Sequence, residues 1–234
     1  MQHIYFAEKL ANTRKPMKLV CHTHSLVPSR KLIKREAVHI RLTDHEYMML
    51  SALSKNTRKL LRRAQEESYQ VFLYKEPSED NLRAFQQFYN EFAKRKKIDQ
   101  INKPQMEAIM LLNQQQALLL SEVRSICGQT LCYRLDIVHA QKAMSYYVAT
   151  CHASALPTHL KRPMRYANRF LLWHNFMYLK QQGFVLYDMG ELTDIETVRQ
   201  FKLSFGGQVV NVYSGYIAHS RISALLLGVQ KWRK

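Results

Sequence analysis

The segment FVLYDMGE (184–191) changes from apolar to acidic at its end, and its two carboxyl groups are the first candidates for chemistry. Asp188 and Glu191 follow a run typical of a buried strand, and burial raises the pKa of a carboxyl group. Such a group can act as a base or contact a substrate. A structural role is the alternative for Asp188, which can cap the helix predicted to begin near Asp194 or pair with Arg199.

The segment TVRQFKLSFGG (197–207) places two cations beside a glycine turn. Arg199 and Lys202 are three residues apart and share one helical face, and Gly206 is expected to end the helix with a positive φ. Spacing predicts a second, buried face made of Val198, Phe201 and Phe205. The alternative is that both cations are simply solvated at the end of a helix and have no function.

Two further groups of cations are candidates for binding an anion. One surrounds the start of a long predicted helix, where free N–H groups already favour negative charge, and it comprises Arg162, Arg165 and Arg169. The other shares one face of an earlier helix and comprises Lys55, Arg58 and Arg62. For this second group the alternative is a solvated surface.

Cysteine and histidine spacing does not indicate a metal site. The four cysteines contain no Cys-x-x-Cys pair, and the ten histidines are not paired at zinc-site spacing. We therefore expect reduced cysteines and no metal. Cys151 and His152 are neighbours on a predicted strand, so their side chains point apart and do not form a nucleophile–base pair.

Composition indicates a globular protein with an anionic partner. The chain has 234 residues and a formal net charge of +17, and a basic surface of this kind attracts polyanions. It has no apolar run long enough to cross a membrane and no signal-peptide pattern. We predict a cytoplasmic protein with one domain over residues 1–234, in which 1–36 form an N-terminal extension.

Periodicity predicts alternating strands and helices. The predicted strands cover 37–42, 69–74, 117–124, 130–139, 142–152, 184–191 and 208–219. The predicted helices cover 44–67, 78–96, a segment from Pro104, 163–183, 194–205 and a short C-terminal segment.

Short breaks make the three central strands an antiparallel meander. We predict an α/β fold with one mixed sheet and helices on both faces. Tyr146 and Tyr147 lie on a middle strand and are expected to point to opposite faces. One of them is then a candidate for facing a cleft.

Three segments resemble FemAB-like proteins of the GNAT acyltransferase superfamily. These are LSKNTRKLLRRAQEESYQVFLY (a basic helix leading into a strand), RYANRFLLWHNFMYLKQQGFVLYDMGE (a long helix, a glycine and an acidic-ended strand) and VRQFKLSFGGQVVNVYSGY. The last contains the family's phenylalanine–lysine–x–x–phenylalanine–glycine signature. The resemblance spans about residues 38–219 and implies a GNAT-like fold and an N-acyltransferase.

The resemblance also implies roles for the candidate residues. Lys202 would stabilise the oxyanion of acyl transfer or hold a donor phosphate. Asp188, Glu191 and Tyr147 would be the catalytic candidates beside it. Arg199 would join Arg162, Arg165 and Arg169 in donor binding, and Lys55, Arg58 and Arg62 would contact the acceptor or a phosphate.

The donor is left open among acyl-CoA, an acyl-carrier protein and an aminoacyl-tRNA, with an amine as acceptor. The chain departs from ordinary GNAT proteins because residues 150–165 contain no glycine, so the usual backbone cradle for the coenzyme A pyrophosphate is missing. Two alternatives remain: a tRNA-dependent peptidyltransferase of the Fem type, and a non-catalytic basic domain that binds nucleic acid.

Overall fold

A computed structural model describes residues 2–8 and 19–218. Its strands are β1 Gln2–Tyr5, β2 Leu19–Ser25, β3 Ile33–Arg41, β4 Gln70–Tyr74, β5 Leu118–Arg124, β6 Thr130–His139, β7 Lys142–Thr150, β8 Leu186–Glu191 and β9 Gln208–Ala218. Its α-helices are α1 Glu46–Ala52, α2 Lys55–Gln65, α3 Glu79–Lys96, α4 Lys103–Gln114, α5 Thr158–Gln181 and α6 Glu196–Leu203. The predicted C-terminal helix lies outside the described residues.

The chain divides into two compact units. The described residues of the first unit are 2–8, 19–39, 191–199 and 208–218, and its strand order is β1-β2-β9-β3. β9 runs antiparallel to both β2 and β3. β1 and β2, which the sequence did not predict, pair in parallel.

The second unit, residues 40–190 and 200–207, contains strands in the order β8-β7-β6-β5-β4. β4 to β7 are antiparallel, which confirms the predicted meander, and β8 joins β7 in parallel. The sheet is therefore mixed, as predicted.

Helices cover both faces of this sheet. Leu171 of α5 packs in a cluster with Cys132 of β6, whereas Phe85 of α3 contacts Tyr133, with ring centroids 5.9 Å apart. Cys132 and Tyr133 are consecutive on a strand, so their side chains point to opposite faces. The prediction of an α/β fold with helices on both faces is confirmed.

The helix predicted over 44–67 is two helices. Leu53 has an extended backbone (φ −62°, ψ 147°) and ends α1, and the Ser54 side chain accepts a hydrogen bond from the Thr57 N–H as the N-cap of α2. Two short helices can therefore follow different directions where the apolar pattern alone predicts one.

The long helix begins at Thr158, earlier than the predicted start at Pro163. Pro157 occupies the N-cap, and Pro163 lies inside the helix, where its ring removes one intrahelical N–H donor. Gly183 follows the end of the helix with φ +80°, as the sequence predicts.

α6 ends at Leu203, two residues before the predicted end at 205, and Gly206 lies in the turn that follows with the predicted positive φ, +74°. A Cβ atom at this position would lie 2.1 Å from the carbonyl oxygen of Ala52. The glycine therefore serves two purposes, since it permits the positive φ and lets the turn after α6 pack directly on the backbone of α1.

Candidate active site

The parallel strands β7 and β8 pair over only part of their lengths. Their ladder runs from Lys142–Leu186 to Met144–Asp188, and both strands continue beyond it. Beyond Met144 and Asp188 the described residues of the two strands form no further pairs, and we call this unpaired end of the ladder the gap. Ligands bind at the carboxyl ends of strands in open α/β sheets.

A β-bulge in β7 lies at this point. Leu135 of β6 pairs with Tyr147 and Asp136 pairs with Ser145, so Tyr146 is the extra residue. Bulges redirect side chains, and the rings of Tyr146 and Tyr147 are 4.4 Å apart. The expectation that these two tyrosines point to opposite faces is therefore wrong, because strand alternation does not hold across a bulge.

Tyr147 packs beneath α3. Its ring centroid is 4.9 Å from that of Tyr89 and 6.3 Å from that of Phe85. It is half-buried, and its aromatic contacts are enough to account for its presence in β7. Its catalytic role stays a prediction.

Asp188 is fully buried at the last β7–β8 pair. Its Oδ1 atom accepts a hydrogen bond of 2.7 Å from the N–H of Gly190. This bond is local, and it fixes the carboxyl group where the β7–β8 ladder ends.

Lys202 reaches the same glycine from the last turn of α6. Its Nζ atom lies 3.3 Å from the ideal Cβ position of Gly190, and the carbonyl oxygen of Ser145 is 3.7 Å from that position. Gly190 has φ +79° and no side chain, so the ammonium group has room there. The structure thus brings together Lys202 and Asp188, which the sequence separates by a strand end and a helix.

Arg169 on α5 is a second cation near α6. Its guanidinium carbon lies 5.1 Å from the ring centroid of Phe201, a cation–π contact. Burial lowers its pKa, and its buried Nε has no hydrogen-bond acceptor among the described residues. An anion bound here would offset that desolvation cost.

Arg162, by contrast, is paired within the chain. Its Nε is 3.1 Å from Glu67 Oε1 and its Nη2 is 3.4 Å from Glu66 Oε2. These contacts connect the start of α5 to the end of α2. Arg165, three residues on, is exposed.

The three cations predicted on α2 have different environments. Arg58 Nη1 donates hydrogen bonds to the carbonyl oxygens of Ser51, Leu53 and Leu50 at 2.6, 2.8 and 3.4 Å, so it caps α1. Lys55 and Arg62 are exposed.

Glu191 and Arg199 belong to the first unit. Glu191 lies 3.7 Å from His24 Nε2 and 3.8 Å from Arg35 Nε, and Arg199 Nη2 lies 3.5 Å from Glu36. The structure gives both residues ion-pair partners within that unit. Their catalytic and donor-binding roles stay predictions.

Sequence reasoning missed a buried polar network between β6 and α5. Arg134, which is 2% exposed, donates hydrogen bonds to Asn168 Oδ1 (2.8 Å), Ser145 Oγ (3.0 Å) and the Tyr187 hydroxyl (3.2 Å). The Tyr187 hydroxyl in turn donates to Asp136 at 2.8 Å. The sequence did contain a signal for this network. Arg134 and Asp136 are opposite charges two residues apart in the otherwise apolar strand TLCYRLDIVH.

This network is buried and anchors the strand that lines the gap. Asp136 and Tyr187 are fully buried. Burial raises the pKa of Asp136, and the Arg134 charge opposes that shift. Burial also raises the pKa of Tyr187. Because Arg134 holds the Ser145 hydroxyl, it fixes the stretch of β7 whose backbone approaches Gly190 and Lys202.

The described residues show neither a metal site nor a membrane span. Over 2–8 and 19–218, no group of three or more His, Cys, Asp or Glu side chains could hold a metal ion. None of the helices in that part of the chain is long and apolar enough to cross a bilayer.

Solved structures share this architecture. FemX superposes with a TM-score of 0.65 at 12% identity, over 85% of this chain and 65% of FemX. The chain has a FemAB-like, GNAT-related fold. The C-terminal domain of a putative lysylphosphatidylglycerol synthetase from Agrobacterium fabrum gives a TM-score of 0.56 at 14% identity, over 89% of this chain and 71% of that one.

A third similar structure is L-PGS from Bacillus licheniformis, with a TM-score of 0.54 and 15% identity over 91% of this chain and 72% of that one. The predicted resemblance is thus confirmed for the fold. The chain spans slightly less than two thirds of the length of FemX. No protein-family model and no curated protein sequence matches it.

Proposed function

We propose that the protein is an acyltransferase that moves an acyl or aminoacyl group from an activated carrier to an amine. The observation that carries the proposal is the meeting of Lys202 and buried Asp188 at Gly190, where the β7–β8 ladder ends. The proposal treats residues 1–234 as one GNAT-like acyltransferase domain.

The chemistry needs a proton acceptor and a cation near the acyl carbonyl. The amine nitrogen attacks the carbonyl carbon, and the carbonyl π electrons move to oxygen. Lys202 stabilises that oxyanion. A cation held in place beside developing negative charge lowers the energy of the transition state by several kcal/mol. Asp188 accepts the proton that the nitrogen loses, directly or through a water molecule. Collapse of the intermediate breaks the bond to the carrier, whose sulfur or oxygen atom leaves with the electron pair and takes a proton.

In this proposal, arginine side chains bind the phosphate groups of the donor, and backbone N–H groups of the loop do not. In the loop between β7 and α5, the Ser154 N–H donates to His152 Nδ1 and the Leu156 N–H donates to the Ala153 carbonyl. These N–H groups are used inside the loop. Arg165 and Arg169 on α5 are the cations that remain for phosphate, because Arg162 is paired with glutamates.

The similar structures favour an aminoacyl donor as one form of this function. One of them is the C-terminal domain of a putative lysylphosphatidylglycerol synthetase, a name that describes formation of an aminoacylated lipid. Acyl-CoA and acyl-carrier protein are the other donors that the proposal admits.

Native mass spectrometry of the purified protein tests the proposal. We expect a retained acyl or aminoacyl carrier that is turned over when a primary amine is added, and turnover slower by about tenfold to a thousandfold in the Lys202→Ala variant. Retained nucleic acid without an acyl group, and no transfer from any of the three donor classes, would contradict the proposal and favour a basic nucleic-acid-binding domain.

A further inference from the structure

A cavity of about 220 Å³ lies between α1, α2 and α5 in the second unit. Its apolar wall consists of Leu50 from α1, Leu61 from α2, and Phe170 and Trp173 from α5. Its lining contains none of the residues that meet at Gly190. It is therefore distinct from the candidate active site.

The apolar wall is held in place by its surroundings. Leu61 is 5% exposed. The ring of Phe170 lies 4.8 Å from that of Tyr69, and Trp173 lies 6.3 Å from Phe176. A wall packed from behind keeps its shape without a ligand, which lowers the entropic cost of binding.

The polar side of the cavity carries positive charge. Arg58, Arg62 and Gln65 of α2 line it, and no Asp or Glu is among its described lining residues. Arg58 is immobilised by its hydrogen bonds to the α1 carbonyl groups. Arg62 is exposed beside the cavity, so its guanidinium group can reach a bound anion.

We propose that this cavity binds an amphipathic anion, with an apolar ring or short alkyl chain inside and a carboxylate or phosphate group at Arg62. Volume limits the apolar part, because an apolar cavity of roughly 150 Å³ holds a benzene ring. The space thus suits one ring or a medium-length chain and is too small for a long-chain acyl group. Charge sets the head group, since two arginines and no described carboxylate line the cavity.

Trp173 is a built-in reporter for this site. The chain contains two tryptophans, and the other, Trp232, lies outside the described residues. In the Trp232→Phe protein, emission comes from the cavity wall alone. Titration with octanoate should change it saturably. The neutral analogue 1-octanol should bind about two- to fivefold more weakly, as expected for loss of one exposed ion pair.

Two variants separate the apolar and charged contributions. Arg62→Gln should weaken octanoate binding about two- to fivefold and leave 1-octanol binding unchanged. Arg63→Gln is the matched control, because Arg63 is the neighbouring exposed cation on α2 and does not line the cavity. Leu50→Phe should narrow the cavity and weaken the binding of both probes.

The proposal is overturned if no probe changes Trp173 emission, or if Leu50→Phe leaves binding intact. Equal affinity for octanoate and 1-octanol, with no difference between the Arg62 and Arg63 variants, would overturn the anionic head group. The readout is binding and does not require acyl transfer. Lys202→Ala should leave it unchanged, so failure of this site and failure of the proposed function can be told apart.

Discussion

The Nζ atom of Lys202 lies 3.3 Å from the point where a Cβ atom at position 190 would stand. Gly190 also donates its N–H to the buried carboxylate of Asp188. Gly190 thus adjoins both the Lys202 ammonium group and the Asp188 carboxylate, the two groups that the proposed chemistry uses.

Replacing Lys202 with Ala should lower turnover by about tenfold to a thousandfold and leave the fold intact, as removal of an oxyanion stabiliser does. The measurement is steady-state kinetics with the donor identified by mass spectrometry, alongside the urea-unfolding midpoint. Lys94→Ala, at an exposed position on α3, is the control for loss of one positive charge. Full activity in the Lys202 variant would remove it from catalysis.

Replacing Gly190 with Ala should displace the Lys202 ammonium group and lower turnover, because the new Cβ atom enters a space tighter than ordinary contact. The positive φ adds strain of about 1 kcal/mol. Gly128→Ala is the matched control, since Gly128 has the same φ of +79° with nothing within 4 Å. If both variants lose stability equally and keep full activity, the contact with Lys202 has no functional role.

Replacing Arg162 and Arg165 together with Ala should raise the donor KM more than the acceptor KM, and binding should weaken with salt. Arg162 pairs with Glu66 and Glu67, so its loss also costs up to about 1 kcal/mol of stability. The single Arg165→Ala variant isolates the donor effect. Equal changes in both KM values would exclude this cluster from the donor site.

Free coenzyme A should bind weakly, with a Kd no tighter than about 10 μM, or about 7 kcal/mol of binding free energy. The reason is that residues 150–165 contain no glycine, and loop N–H groups at Ser154 and Leu156 are already bonded within the loop. Calorimetry with acetyl-CoA at low salt measures it. A submicromolar Kd would instead indicate a simple CoA-dependent acetyltransferase.

The buried Asp136 should make stability depend on pH. Its folded-state pKa is raised above 3.8 by burial, so the folded protein keeps this proton where the unfolded chain has lost it. The contribution is complete below pH 3.8 and is lost as the pH rises through the folded-state pKa. The unfolding free energy of the wild type, relative to Asp136→Asn, should therefore fall with rising pH. A difference that is constant or rises with pH would contradict this.

Local patterns in the sequence were enough to predict most elements. The strand 130–139 and the helix 78–96 follow from alternation, an N-cap at Ser78 and charges that complement the helix ends. The FKLSFGG segment predicted a helix followed by a glycine with positive φ, and α6 is followed by Gly206 in that conformation. Period, caps and glycine turns depend on neighbours in the chain, so the sequence alone determines them.

Tertiary structure decided which candidates share a site. It brought Lys202 to Gly190, paired Arg162 with glutamates of another helix, and attached Arg58 to the carbonyl groups of α1. It also created the bulge at Tyr146 and the gap between β7 and β8. These features depend on contacts between residues far apart in the chain, whose geometry is set by packing and leaves no periodic signal in the sequence.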